Sequence, residues 1–386
     1  MKKLTLLSLI SLAALTITGC NQEKPVEPDN PDTPQSEKIT DMIGREIDII
    51  PGSYKKIVCI GAGALRLYSY VGDVNLLAGV EDIDNYTLEN RPKMFDGAAR
   101  PYFIANKEVF KNLPSCGVGG PQAQTAEAEK ILSCDPDLVI SEYEDVDKAN
   151  ALQEQIGVPV ITMKYGSKGV FDESIKKSIN LLGKVLDKNE KSNKLVSYIN
   201  EQEELLSTLT KNETSDKKAY ICGLGNWGTT DYLMTAQNYE PFNVANITNV
   251  VTDLVKDGIQ KIEKEKFESL GPSIDVMIID AAAIKNIKPL YKEDPSIFDS
   301  CKAWNEGEVY LEMPYNAYYT NVELALVNAW WGAKVVHSEA LKDLSIEEKT
   351  KEVTEAFLGK DLTSEIFAAP TSMGGYQKID TSTFFN

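Results

Sequence analysis

Histidine is almost missing from this chain: His337 is the only one in 386 residues. That leaves little room for an imidazole-based catalytic triad or a histidine-rich zinc centre. His337 itself follows an apolar run at a helix end and reads as a structural residue. Positive charge is also scarce. Lys and Arg number 40 against 58 Asp and Glu, for a formal net charge of −18. No basic patch is present to meet a phosphate backbone, so a nucleic-acid partner is not expected. The six cysteines show no metal-ligand spacing. Gly61-Ala62-Gly63 follows a strand pattern, but Arg66 stands where a dinucleotide fingerprint needs its third glycine. No phosphate loop with Lys-Ser or Lys-Thr occurs. The apolar run Leu4 to Ile17 is too short to span a membrane.

What is present begins with that run. Lys2 and Lys3 precede it, and Ile17-Thr18-Gly19-Cys20 closes it in the pattern of a bacterial lipobox. Residues 1–19 read as a signal peptide and Cys20 as a lipidation site. The stretch 20–37, with Pro25, Pro28, Pro31 and Pro34, reads as a disordered tether that lifts a folded body off the membrane. The expected location is the cell envelope outside the cytoplasm, with the lipid as the only membrane contact. Of the other cysteines, Cys59 and Cys222 sit in apolar strand patterns as small buried hydrophobes. Cys116 and Cys134 are open to pairing or to remaining free.

Phe171 to Lys211 carries the longest helical periodicity away from the ends. Apolar residues recur at Ile175, Ile179, Leu182, Val185 and Leu186, then at Leu195, Ile199, Leu206 and Leu209. The polar break Asp187-Lys188-Asn189-Glu190 divides it into two helices. On either side, short apolar strands alternate with helices, which implies parallel sheets. The plan helix, Asp-Pro or Gly-Pro turn, apolar strand occurs at Glu127 to Ile140 and again at Lys264 to Ile279. The expected fold class is α/β, with two lobes of mainly parallel sheet joined by one long helix and a ligand cleft between them. The lobes are placed at 38–189 and 213–386, with the linking helix at 190–212. The stretch after Tyr86 to about Gly120, rich in Gly, Pro and aromatics, reads as long and irregular.

Open parallel sheets hold ligands at the C-terminal ends of their strands. In the first lobe those ends carry Ala62, Gly63, Tyr86, Tyr143 and Tyr165; in the second, Asn226, Trp227, Thr229, Tyr315, Tyr318 and Tyr319. Tyr and Trp supply rigid amphipathic area suited to a bulky ligand, and tyrosine oxygen is a good donor for ferric iron.

Several stretches resemble the lipoprotein substrate-binding components of ABC importers for iron chelates, haem and corrinoids. They are Ile39 to Arg45, Lys56 to Ala64, Cys134-Asp135-Pro136-Asp137-Leu138-Val139-Ile140, and Trp331 to His337. The resemblance implies two α/β lobes rigidly coupled by a helix, no catalysis and no cofactor. Its implied partners are a metal chelate, most simply a ferric siderophore with corrinoid and haem as alternatives, and a permease dimer met by a monomer. Docking onto the permease would use one acidic residue per lobe, Asp147 or Glu144 in the first and Glu265 in the second. Trp227, Tyr315, Tyr318 and Tyr319 would stack on the chelate, and Arg91 or Arg100 would balance its negative charge. Two other readings stand beside this one. A surface enzyme would use Asp82, Asp84 or Glu142, with paired carboxylates roughly 5–10 Å apart. A sensory or structural lipoprotein would have no transported ligand.

Overall fold

The computed structural model describes residues 35–121, 123–167, 171–213, 216–225 and 230–385. Cys20, Asn226, Trp227 and Thr229 therefore lie outside the described residues. A hairpin of β1 (Glu37–Thr40) and β2 (Glu46–Ile49) opens the chain. Its first strand starts one residue inside the stretch read as tether.

The first lobe is built on five strands: β3 (Ile57–Ile60), β4 (Leu77–Glu81), β5 (Ser115–Gly117), β6 (Leu138–Ser141) and β7 (Val160–Thr162). They pair in the order β5-β4-β3-β6-β7, every pair parallel. β3 and β6 are buried at every position, as strands covered on both faces must be. Helices α1 (Ala64–Val71), α2 (Pro101–Phe110), α3 (Ala128–Ser133), α4 (Val146–Ile156) and α5 (Glu173–Val185) complete this lobe. α4 is bounded as its sequence dictates. The Asp145 carboxylate accepts from the Lys148 N–H at its start, and Gly157 takes φ 72° at its end.

α6 (Asn189–Thr210) is the long helix, 22 residues or about 33 Å. Its buried residues Ser192, Leu195, Ile199, Gln202, Leu206 and Thr210 fall three or four apart. It packs against α5 and α1 on one side and against helices of the second lobe on the other.

The second lobe repeats the plan. β8 (Lys218–Cys222), β9 (Met234–Thr235), β10 (Thr248–Asn249), β11 (Gln260–Lys261), β12 (Val276–Asp280), β13 (Val309–Glu312) and β14 (Gln377–Lys378) follow α6. Five of them form the sheet β10-β8-β12-β13-β14, parallel except for β14. β9 and β11 pair separately. The helices are α7 (Glu240–Val244), α8 (Lys264–Leu270), α9 (Ile284–Glu293), α10 (Lys302–Asn305), α11 (Val322–Val336), α12 (Ile346–Leu358) and α13 (Thr363–Ala368).

Two features depart from the sequence reading. The segment expected to be irregular contains α2, a ten-residue helix. α2 is apolar on more than one side because it is packed between α1, α12 and α13, so no single stripe marks it. The C-terminal end also does not belong to the second lobe alone. α12 packs on α1 and α2 as well as α11, and Thr371 donates through its N–H (3.0 Å) and its hydroxyl (2.9 Å) to the Gly97 carbonyl. One continuous apolar cluster, including Leu67, Tyr70, Leu195, Ile199, Trp330 and Phe357, runs through both lobes. Parting the lobes would expose that surface to water, which opposes wide opening.

The five described cysteines are buried free thiols. Cys116 and Cys134 each turn to a backbone carbonyl, of Cys59 at 3.8 Å and of Lys130 at 3.4 Å. Among the described residues no helix is long and apolar enough to cross a membrane.

Candidate ligand-binding cleft

The C-terminal ends of both parallel sheets open onto one cavity of about 710 Å³. That is within the usual range for small-molecule sites. From the first lobe come Ala62 after β3, Glu142 to Glu144 after β6 and Tyr165 after β7. From the second come Gly225 after β8, Ala282 after β12 and the whole loop Pro314 to Thr320 after β13. Thr371, on the C-terminal segment tied to Gly97, also lines the cavity.

Arg66 on α1 organises the floor. It is fully buried, and three of its four hydrogen bonds go to the opposite lobe. It donates to the carbonyls of Ala317 (2.8 Å) and Tyr318 (3.0 Å) and to Asn321 Oδ1 (3.2 Å). Within its own lobe it donates to the Tyr165 hydroxyl (3.3 Å) and lies 4.8 Å from the centre of the Tyr102 ring. The Tyr165 hydroxyl in turn donates to the Gly63 carbonyl at 3.1 Å. Gly63 has φ 94°, and a Cβ there would lie 2.5 Å from the Tyr165 ring. Glycine at 63 thus sets the position of a tyrosine that faces the cavity.

The loop after β13 is held in an uncommon backbone state. Tyr318 and Tyr319 are consecutive left-handed residues, φ 52° and 70°. For bulky side chains this costs roughly 1–3 kcal/mol each and persists only where the surroundings enforce it. Here the enforcement is visible. Arg66 grips the loop carbonyls, and the Tyr318 hydroxyl donates to Glu81 while accepting from the Gly120 N–H at 3.1 Å. Glu81 also accepts from the Gly61 N–H at 3.0 Å. Burial pushes the Glu81 carboxyl up to about 7 despite those donors. With Tyr318 pinned, Tyr319 projects into the cleft, 40% exposed, its ring 4.6 Å from that of Tyr165.

Six described tyrosines line the cavity: Tyr143, Tyr165, Tyr239, Tyr315, Tyr318 and Tyr319. Its lining carboxylates are Glu142, Glu144 and Glu240, and its described lining cation is Lys285. Burial, then the neighbouring Glu144, pushes the Glu142 carboxyl well up. Its Oε1 is buried without a partner among the described residues. Burial pushes the Glu240 carboxyl up to about 8 although it accepts from the Phe171 N–H at 3.1 Å.

Of the residues singled out in the sequence, Ala62, Tyr143, Tyr165, Tyr315, Tyr318 and Tyr319 come together here, with Gly63 behind Tyr165. Tyr86 does not line the cavity; its hydroxyl donates to Glu108 at 3.1 Å. The two arginines expected to neutralise a ligand are placed otherwise. Arg91 is paired with Asp96 at 2.7 Å and Arg100 with buried Asp84 at 2.6 Å, and neither lines the cavity. Asp96 is five residues from Arg91, and folding brings Asp84, sixteen residues away, to Arg100, so both are already paired. Asp82 lies 3.9 Å from Lys130 and, like Asp84, is outside the lining. Asp147 and Glu265 are exposed in the first turns of α4 and α8, whereas Glu144 lines the cleft and pairs with Lys164 at 3.1 Å. Arg66, Glu81 and Glu240 were not legible as site residues. The one signal for Arg66 was a charged residue in the middle of the apolar run Ala64 to Val71. Among the described residues no group of His, Cys, Asp and Glu side chains is arranged to hold a metal ion.

A family model described as periplasmic binding protein matches residues 66–306. No curated protein matches the chain in sequence. Among solved structures, a periplasmic solute binding protein from Veillonella parvula has TM-score 0.68 at 20% identity, covering 91% of this chain and 100% of that one. The molybdate-bound periplasmic binding protein MolA of Haemophilus influenzae has TM-score 0.63 at 16% identity, covering 84% and 98%. The periplasmic catecholate-siderophore binding protein VctP of Vibrio cholerae has TM-score 0.54 at 15% identity, covering 79% and 100%. At such identities the likeness is one of fold.

Proposed function

The chain belongs to the periplasmic binding protein family, and we propose that it captures a metal chelate outside the cytoplasm and delivers it to the permease of an ABC importer. The observation that carries this reading is the cavity of about 710 Å³ between the lobes with six tyrosines on its described walls. A metal complex bounded by flat organic groups offers what such rings bind: broad apolar faces with polar edges. The metal arrives inside its own ligand set. The lobes act as two jaws coupled through one core, so binding involves small closure, and the outer faces carry Asp147 and Glu265 toward the permease.

Isothermal titration calorimetry of residues 35–386 with ferric siderophores of different chemistry, cobalamins and haemin tests the reading. Sub-micromolar binding of one of these is expected; no binding by any at micromolar concentration overturns it. Tyr319→Asn is a sharp companion. Asparagine tolerates φ 70° better than tyrosine, so thermal stability should hold or rise. Affinity for the same ligand should fall about tenfold, the size of one lost aromatic contact. An unchanged affinity would remove Tyr319 from the site.

We further infer that Cys20 carries a diacylglycerol anchor, supported by the lipobox pattern Ile17 to Cys20 and the Pro-rich stretch after it. Cys20→Ser is expected to move the protein from the membrane fraction to the soluble one. Continued membrane association of that variant would disprove the anchor.

A further inference from the structure

The cleft has tyrosines for a chelate of any charge, yet its charged groups are not neutral in their preference. All four arginines of the chain are committed elsewhere. Arg45 is paired with Asp41 at 2.8 Å, Arg91 with Asp96 and Arg100 with Asp84. Arg66 spends its donors on Asn321, Tyr165 and the carbonyls of Ala317 and Tyr318. The forked donor that best recognises a carboxylate, catecholate or oxyanion is therefore not offered by any arginine. Against the single described lining cation, Lys285, stand Glu142, Glu144 and Glu240. Glu144 is engaged by Lys164. Glu142 is not: it lines the cavity at the end of β6, and its buried Oε1 has no partner among the described residues. A buried carboxylate oxygen without a donor is rare in folded proteins, because leaving it unpaired wastes the solvation it gave up.

Resting on the chelate reading, we propose that this cleft selects a metal chelate of net positive charge, whose ammonium or other cationic donor is received by Glu142. Anionic chelates such as ferric catecholates bring no cation to displace the Glu142 proton and find each of the four arginines already paired. Selectivity of this kind separates ligands of one shape that differ in one charge. The groups around Glu142 are Glu144, Arg66, Lys164, Tyr165 and Tyr319. Because burial favours its protonated form, a bound cation displaces a proton from it. Binding of the cationic ligand then releases protons and tightens as pH rises.

The test uses residues 35–386 and pairs of chelates matched in shape. Ferrioxamine B carries a free ammonium and its N-acetyl derivative does not; aquocobalamin is cationic and cyanocobalamin neutral; ferric enterobactin and haemin are the anionic members. Calorimetry in buffers of different protonation enthalpy reads both affinity and proton release. The cationic partner of whichever pair binds should be about tenfold tighter than its neutral partner, the size of a charge-assisted hydrogen bond, and should release protons. In Glu142→Gln, which keeps the side-chain shape, the two partners should fall within about twofold of each other. Equal affinity of the matched partners in the native sequence, or an anionic chelate binding tightest, overturns charge selection and leaves the chelate reading standing. Silence from all six removes both.

Discussion

Replacing Arg66 with methionine is expected to remove about 3–5 kcal/mol of stability, measured by urea unfolding. The physical account is one of orphaned acceptors. Arg66 is fully buried, and its removal leaves the Tyr318 carbonyl and Asn321 Oδ1 without that donor, and the Ala317 carbonyl with only the Asn321 Nδ2–H at 3.5 Å. Each such group costs about 1–3 kcal/mol. Glu323, buried nearby and joined to the Tyr70 hydroxyl, also loses the favourable field of the guanidinium. Methionine fills most of the volume, so the loss reports polar pairing rather than a cavity. Arg66→Lys separates charge from geometry. It keeps a cation but not the planar fork that reaches several acceptors, so it should recover only part of the stability. In that folded variant the loop Pro314 to Thr320 loses anchors, and ligand affinity should fall at least about tenfold. A loss under about 1 kcal/mol for Arg66→Met would mean the inter-lobe network is incidental.

The second large effect is on pH. Several carboxyls are held by burial far above their ordinary range. Glu81 and Asp280 are raised to about 7 and Glu240 to about 8, while Glu142 and Glu312 are raised well above it. In the unfolded chain the same groups lose their protons in the ordinary carboxylate range. Between that range and about pH 8 the folded state therefore holds more protons than the unfolded one. Stability then falls as pH rises. One unit of difference is worth about 1.4 kcal/mol per group, and relaxation of the buried sites reduces what is realised. A drop of at least about 2 kcal/mol between pH 5.5 and pH 8 is expected, read from urea midpoints at the two values. Asp280→Asn should flatten the profile, since burial is the main cause at Asp280 and only the Ala282 N–H opposes it. Stability that is level or rises over this interval would show that these carboxyls are ionised in the folded protein. The excess of acidic residues works in the same direction, because a net charge of −18 repels itself less when carboxyls are neutral.

Much of the scaffold was legible because it rests on local rules. The continuous apolar runs Ile57 to Ile60 and Leu138 to Ile140 could only be buried parallel strands, and both occupy the middle of the first sheet. The spacing of Leu195, Ile199 and Leu206 marked the long helix. The rule that ligands sit at strand C-terminal ends then placed Tyr143, Tyr165, Tyr315, Tyr318 and Tyr319 on a common cavity. α2 escaped because a helix covered on several sides has no stripe to read.

By itself, then, the sequence determined the class of architecture, the two sheets, the helix between them and the strand ends where a ligand would sit. Periodicity and strand polarity are properties of a few consecutive residues, so no distant partner is needed to express them. What only the tertiary structure decided is which charges remain available. Arg91 and Arg100 look like ligand partners until folding sets them against Asp96 and Asp84. Arg66 looks like a flaw in an apolar helix until residues 251 and 252 positions away supply its acceptors. Glu142 looks like one acid among 58 Asp and Glu until burial leaves an oxygen at the cavity wall with no partner among the described residues. Pairing and desolvation depend on atoms brought together from remote parts of the chain, and no local pattern records them.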